Sequence, residues 1–155
     1  MSRSFEVVDR LAAKGKTLAT AESLTGGGIG AALTSVAGSS AVYKGGVISY
    51  TNEIKRDVLG VRQELLDRYG AVSNPVAGEM VSGVRKLLHA DIAVSVTGLA
   101  GPGGDEFENP VGTVYIGYED AARTVVHHFH FIGDRDSVRQ QTIDAALQLI
   151  LQYNP

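Results

Sequence analysis

Residues 91–97 read DIAVSVT, a short β-branched apolar run that predicts the most strongly buried strand of the chain. The run stops at GLAGPGGDEFENP, residues 98–110, where glycine and proline are too dense for regular structure. On its N-terminal side, Ser73 is placed to cap a long helix with Pro75 in its first turn and Val76, Met80, Val84, Leu87 and Leu88 on one face. On its C-terminal side, residues 112–118 and 123–131 read as two strands joined at Glu119 and Asp120, a β-hairpin. A closing helix over residues 134–151 turns Val138, Ile143, Leu147, Ile150 and Leu151 inward.

The first half follows the same alternation. Phe5, Val8, Leu11 and Ala12 recur at helical spacing up to Gly15, and TLATA, residues 17–21, predicts a second buried strand. Ile29, Leu33 and Val36 mark a helix up to Gly38, and residues 42–50 a strand interrupted by Gly45 and Gly46. Thr51 or Asn52 caps a short helix through Leu59, and Leu65, Leu66 and Tyr69 form another that stops at Gly70. Strands mixed with helices, plus one hairpin, predict an α/β fold: a three-layer sandwich with a mixed sheet flanked by helices. With no repeat, linker or low-complexity tract, residues 1–155 are read as one domain.

Composition narrows the function. The chain is 44% hydrophobic and 20% charged, as ordinary globular domains are. It has no cysteine, which excludes disulfides, thiolate metal sites and a cysteine nucleophile. A net charge of −3 argues against nucleic acid as partner. Neither a signal peptide nor a membrane-length apolar run is visible, so no membrane partner and a cytoplasmic location are expected.

Three glycine-rich stretches carry candidate chemistry. In AESLTGGG, residues 21–28, a strand ends, a turn presents Ser23 and glycines open a helix. Amides at a helix start can stabilise an oxyanion, so Ser23 is a candidate nucleophile with donors near Thr25, Gly26 and Gly27; equally, Ser23 or Thr25 can be a plain helix cap. In SYTNEIK, residues 49–55, Lys55 falls in the first turn of its helix, against the dipole, which favours the neutral amine that a serine nucleophile needs as base. Tyr50 would then donate a proton or hold the lysine; the alternative leaves Lys55 solvated and Tyr50 a strand aromatic. TGLAGPGG, residues 97–104, offers Thr97, Gly98, Ala100 and Gly101 as a ligand loop beyond a strand end, although it is neither a Walker loop nor a dinucleotide fingerprint. Two arginines at the start of the last helix, Arg135 and Arg139, either clamp a phosphate or pair with Asp134 and Asp136. His127, His128 and His130 suggest a metal, but no third ligand is evident and the site is read as metal-free.

Taken together, AESLTGG, GSSAVYKGGVISYTNEIK, GAVS, VTGLAGPGG, NPVGTVYIG and FIGDRDSVR, collinear from Leu18 to Leu151, resemble the CinA C-terminal domain family. That family includes nicotinamide-nucleotide amidohydrolases, which convert nicotinamide mononucleotide to nicotinic acid mononucleotide and ammonia. The resemblance implies a serine–lysine pair assisted by a tyrosine, which fall on Ser23, Lys55 and Tyr50. It implies donors at Thr25, Gly26 and Gly27, and a small-molecule nucleotide substrate held by Thr97, Gly98, Ala100, Gly101 and Arg139. It further implies no cofactor and a homodimer or larger homo-oligomer. Two positions depart from the family pattern: Leu24 stands where a cysteine is usual, and Asn109 where many members have lysine. The rival expectations are an amidohydrolase of another small amide and a non-catalytic, competence-associated nucleotide-binding module.

Overall fold

A computed structural model describes residues 2–155; Met1, the first residue of the expected domain, lies outside them. Twelve elements follow in order: α1 (Arg3–Lys14), β1 (Leu18–Glu22), α2 (Gly28–Thr34), a 3₁₀ turn (Ser39–Ala41), β2 (Tyr43–Ile48), α3 (Asn52–Asp57), α4 (Gln63–Tyr69), α5 (Asn74–Leu88), β3 (Ile92–Gly98), β4 (Thr113–Asp120), β5 (Arg123–His130) and α6 (Arg135–Tyr153). The strands form one sheet in the order β2-β1-β3-β4-β5. β2, β1 and β3 run parallel, while β4 and β5 add an antiparallel hairpin beside β3.

Alternation along the strands sorts the two cores. On β3, Ile92, Val94 and Val96 join Val7, Leu11, Ile29, Leu33 and Ile150 in the cluster under α1, α2 and α6. The intervening Ala93 packs with β1's Ala19 and Ala21 against Val76, Met80, Val81 and Val84 of α5. That face uses small residues, so α5 sits close: Ser95 Oγ donates to the Ala77 carbonyl at 2.8 Å. The result is the expected three-layer α/β sandwich with a mixed sheet.

Three local expectations shift. Gly45 and Gly46 do not interrupt β2 but lie inside it. Gly45 (φ 145°) sits where the register against β1 slips, between Leu18 and Ala19, and a Cβ on Gly46 would strike Thr20 Oγ1. The hairpin turn falls at Ala121 and Ala122, because Asp120 accepts both the Ala122 and Arg123 amides while Glu119 stays in the strand, bonded to Ser82 and Thr124. α2 ends at Thr34 rather than reaching Gly38, with the Thr34 and Ser35 hydroxyls turned back onto the Gly30 and Ala32 carbonyls.

Candidate active site

Beyond the carboxyl ends of β1 and β3 lies a cavity of about 470 Å³, a volume in the small-molecule range. β1 delivers Ser23 to it. The chain then turns through Gly26 (φ 60°) and Gly27 (φ 96°), both in the left-handed region that glycine occupies without strain, before α2 begins. Ser23 is nearly buried, anchored by its amide on the Val96 carbonyl (3.2 Å) and by its carbonyl, which accepts the Gly26 amide (3.1 Å).

Lys55 meets it from α3. Thr51 is the N-cap, accepting the Ile54 amide at 3.4 Å, which settles the cap between Thr51 and Asn52. Lys55 is the fourth residue of this six-residue helix, belonging to its last turn as much as its first, so the dipole is a poor account of its chemistry. Burial is the better one. The side chain points back toward the helix N-terminus, is 1% exposed, and brings Nζ to 3.0 Å from Ser23 Oγ. Nζ also donates to the carbonyls of Ser49 (2.7 Å) and Tyr50 (3.4 Å). Desolvation lowers the Lys55 pKa from 10.5 to about 8. A neutral amine has two N–H bonds and one lone pair. With both N–H bonds directed to carbonyls, the lone pair is left for the Ser23 hydroxyl proton.

Tyr50 lines the same cavity but does not hold the lysine with its ring. Its side chain is 59% exposed, and its hydroxyl takes a hydrogen bond from Arg135 Nη2 at 3.2 Å; only its backbone carbonyl touches Lys55. Of the TGLAGPGG residues, Thr97, Gly98, Ala100 and Gly101 all line the cavity, although the Thr97 hydroxyl is spent on the Ala71 carbonyl (2.8 Å).

The structure separates the remaining expected binding residues from the cavity. Thr25, Gly26 and Gly27 do not line it: the Thr25 hydroxyl donates to Glu22 Oε1 at 2.7 Å, and the Gly26 amide is committed to Ser23. Arg139 does not face it either. Its guanidinium braces the nucleophile segment, Nε on the Leu24 carbonyl (2.9 Å) and Nη2 on that of Thr25 (3.3 Å). Arg135, one turn earlier, is the arginine that lines the cavity, with Nη1 on the Gly101 carbonyl at 2.7 Å. The three histidines go to separate partners: His127 to the Tyr153 hydroxyl, His128 stacked on Tyr115, and His130 to the Val111 carbonyl.

Sequence reasoning missed Glu22. Its side chain, 2% exposed, occupies the amides of Ile29 (2.8 Å) and Gly30 (3.0 Å) at the start of α2, so those donors serve the chain itself rather than a substrate. Among the described residues of this turn, the amides of Leu24, Thr25 and Gly27 are left without a protein acceptor. The one signal for Glu22 was a charged residue ending an otherwise apolar strand. Asn109 was also underrated: its Nδ2 donates to Asp105 Oδ2 (2.8 Å) and to the Val72 carbonyl (3.2 Å), clipping the wall of the cavity to its floor.

Comparison with known proteins agrees with the fold and the motifs. The sequence profile of the CinA C-terminal domain matches residues 2–154. The chain is 45% identical over 153 residues to the nicotinamide-nucleotide amidohydrolase PncC of Escherichia coli K12, covering 98% of this chain and 93% of that protein. A CinA-like protein from Endomicrobium trichonymphae is 47% identical over 135 residues, covering 87% of this chain. The chain spans only about a third of such longer relatives, 32% in that case. Among solved structures, a competence-damaged protein (CinA) superfamily protein from Klebsiella pneumoniae superposes with a TM-score of 0.94 at 37% identity, covering 97% of this chain and 94% of that one.

Proposed function

Because this chain belongs to the CinA C-terminal domain family, we propose that it is a nicotinamide-nucleotide amidohydrolase, releasing ammonia from the carboxamide of nicotinamide mononucleotide and leaving nicotinic acid mononucleotide. The observation that carries the mechanism is the 3.0 Å contact of Lys55 Nζ with Ser23 Oγ, made by an amine whose other two partners are carbonyls. Neutral Lys55 removes the Ser23 proton as the oxygen attacks the carboxamide carbon. The resulting oxyanion is assigned to the unpaired amide of Leu24, a residue that lines the cavity beside Ser23. When the C–N bond breaks, the ammonium of Lys55 returns a proton to the departing nitrogen, and Tyr50 assists from the cavity rim. Lys55, neutral again, then activates water, which cleaves the ester and restores the Ser23 hydroxyl.

Substrate recognition is assigned to the part of the cavity lined by Arg135 and residues 97–101. Arg135, beside Gly101 and Tyr50, is the cation placed to meet the phosphate, with the backbone of residues 97–101 alongside. The proposal includes a cytoplasmic location and a homodimer or larger assembly, with the edge strand β5 as a contact surface. Among the described residues, no helix is long and apolar enough to cross a membrane.

The test is ammonia release from nicotinamide mononucleotide by purified protein. Ser23→Ala and Lys55→Ala should each lower kcat by about three orders of magnitude or more while circular dichroism stays unchanged. Wild-type turnover in either folded variant overturns the pair. Free nicotinamide, which lacks the phosphate, should be a far poorer substrate.

A further inference from the structure

The carboxylate of Glu22 is buried directly beside the nucleophile, and the chemistry above does not use it. It receives four hydrogen bonds: from Thr25 Oγ1 (2.7 Å) and the Ile29 amide (2.8 Å) on Oε1, and from the Gly30 amide (3.0 Å) and Thr20 Oγ1 (3.2 Å) on Oε2. No cation pairs with it among the described residues; oriented amides and hydroxyls alone offset its burial. The turn from β1 to α2, with Ser23 at its tip, is therefore folded around one carboxylate. The main chain of the same residue reaches the base: the Glu22 carbonyl accepts the Ser49 amide at 2.7 Å, and the Ser49 carbonyl accepts Lys55 Nζ at 2.7 Å.

We propose that Glu22 is the positioning residue of the Ser23–Lys55 pair, its carboxylate fixing the nucleophile turn and its carbonyl, through Ser49, fixing the amine. Two features set this apart from an ordinary helix cap. α2 has only seven residues, too short to justify a buried charge for helix stability alone. The Thr20 hydroxyl also bonds Tyr43 at 2.7 Å, tying the carboxylate to β2, the strand that leads to Ser49 and Lys55. Displacing the serine oxygen by even a fraction of an ångström from the amine weakens proton transfer while leaving the walls of the cavity where they are.

This inference rests on the serine–lysine reading, and its test separates the two. Glu22→Gln keeps the shape but replaces one acceptor oxygen with an NH2 group, which then confronts the Ile29 or Gly30 amide donor to donor. Thr25→Val removes one donor and keeps the size. For each variant, kcat and KM are measured by ammonia release, and the rate of Ser23 labelling by a fluorophosphonate is read by intact mass. In Glu22→Gln, kcat and labelling should fall together by about 10- to 100-fold with KM nearly unchanged, and in Thr25→Val in the same direction but less. Wild-type labelling in folded Glu22→Gln, or a loss carried by KM, overturns the proposal. If Glu22→Gln fails to fold, Thr25→Val decides by the same criterion. Should the wild type label rapidly yet release no ammonia from nicotinamide mononucleotide, the substrate assignment falls while the labelling rates still judge Glu22.

Discussion

Arg139 Nε donates to the Leu24 carbonyl at 2.9 Å, so the first turns of α6 hold the residue that follows the nucleophile. Arg135, four residues earlier on the same helix, is turned to the cavity and bonds Gly101 and Tyr50 instead. One helical turn thus separates a brace from a ligand contact, and the two arginines should fail differently.

Arg139→Ala should lower kcat by about tenfold or more and reduce stability by about 1–3 kcal/mol, because two backbone carbonyls lose a charged donor. KM should change little. Arg135→Ala should raise KM for nicotinamide mononucleotide by about tenfold or more, at a smaller cost in kcat. Steady-state ammonia release together with thermal unfolding distinguishes them; the reverse pattern would return the phosphate to Arg139.

The lowered pKa of Lys55 makes both activity and stability depend on pH. With the amine at about 8, kcat/KM should climb through that pH as the base loses its proton. For stability, the unfolded lysine holds its proton up to about 10.5 and the folded one only to about 8, so between these values the unfolded state binds more protons. The burial penalty is therefore fully present below pH 8 and is relieved as pH rises toward 10.5. Lys55→Met carries no such term. Denaturant unfolding from pH 7 to 10.5 should show wild type gaining on Lys55→Met by up to about 3 kcal/mol. A difference that does not vary with pH would mean the amine is not desolvated in the folded state.

Gly83 lies in α5 where a Cβ would collide with the Leu59 carbonyl. By helix propensity alone, Gly83→Ala should stabilise by about 1 kcal/mol. The contact is with backbone, which cannot swing aside, and overpacking typically costs about 1–3 kcal/mol, so the expected net effect is destabilisation. A lowered unfolding midpoint with unchanged KM checks this; a raised midpoint would mean that the segment after α3 yields.

How far these features could be read without coordinates differs between fold and site. DIAVSVT and TLATA are apolar and β-branched enough to predict β3 and β1, and Gly15 sits in the left-handed conformation that closes α1. Ser23 was legible within its own motif, since it ends a strand before glycines; Lys55 was singled out by the dipole of a helix too short for that argument, and its burial, which carries its chemistry, was not legible. Their contact spans 32 residues of sequence and depends on β2 lying parallel to β1, which no local pattern encodes. The same limit hid the roles of the arginines. Arg135 and Arg139 share one motif and one helix face, and only the position of α6 over Leu24 decides which meets the cavity. Glu22 was opaque for another reason: its side chain turns inward and takes the Ile29 and Gly30 amides at the start of α2, a turn that composition does not reveal.

Asn109's contacts show what asparagine does at its position. Its amide nitrogen spans the Asp105 carboxylate and the Val72 carbonyl, while its own backbone N–H also donates to Asp105 at 3.1 Å. This clip holds the loop whose Gly103, Asp105, Glu106 and Phe107 form one wall of the cavity. Asn109→Ala removes both side-chain bonds from a partly exposed loop, so stability should change by about 1 kcal/mol or less while KM rises several-fold, about what one or two neutral hydrogen bonds support. Asn109→Asp is the sharper test. It puts a second carboxylate where Nδ2 now sits 2.8 Å from Asp105 Oδ2, replacing an attraction with a repulsion between like charges. Its KM should exceed that of Asn109→Ala throughout pH 7 to 9. Equal KM values for the two variants across that range would show that the clip does not shape the wall that substrate meets.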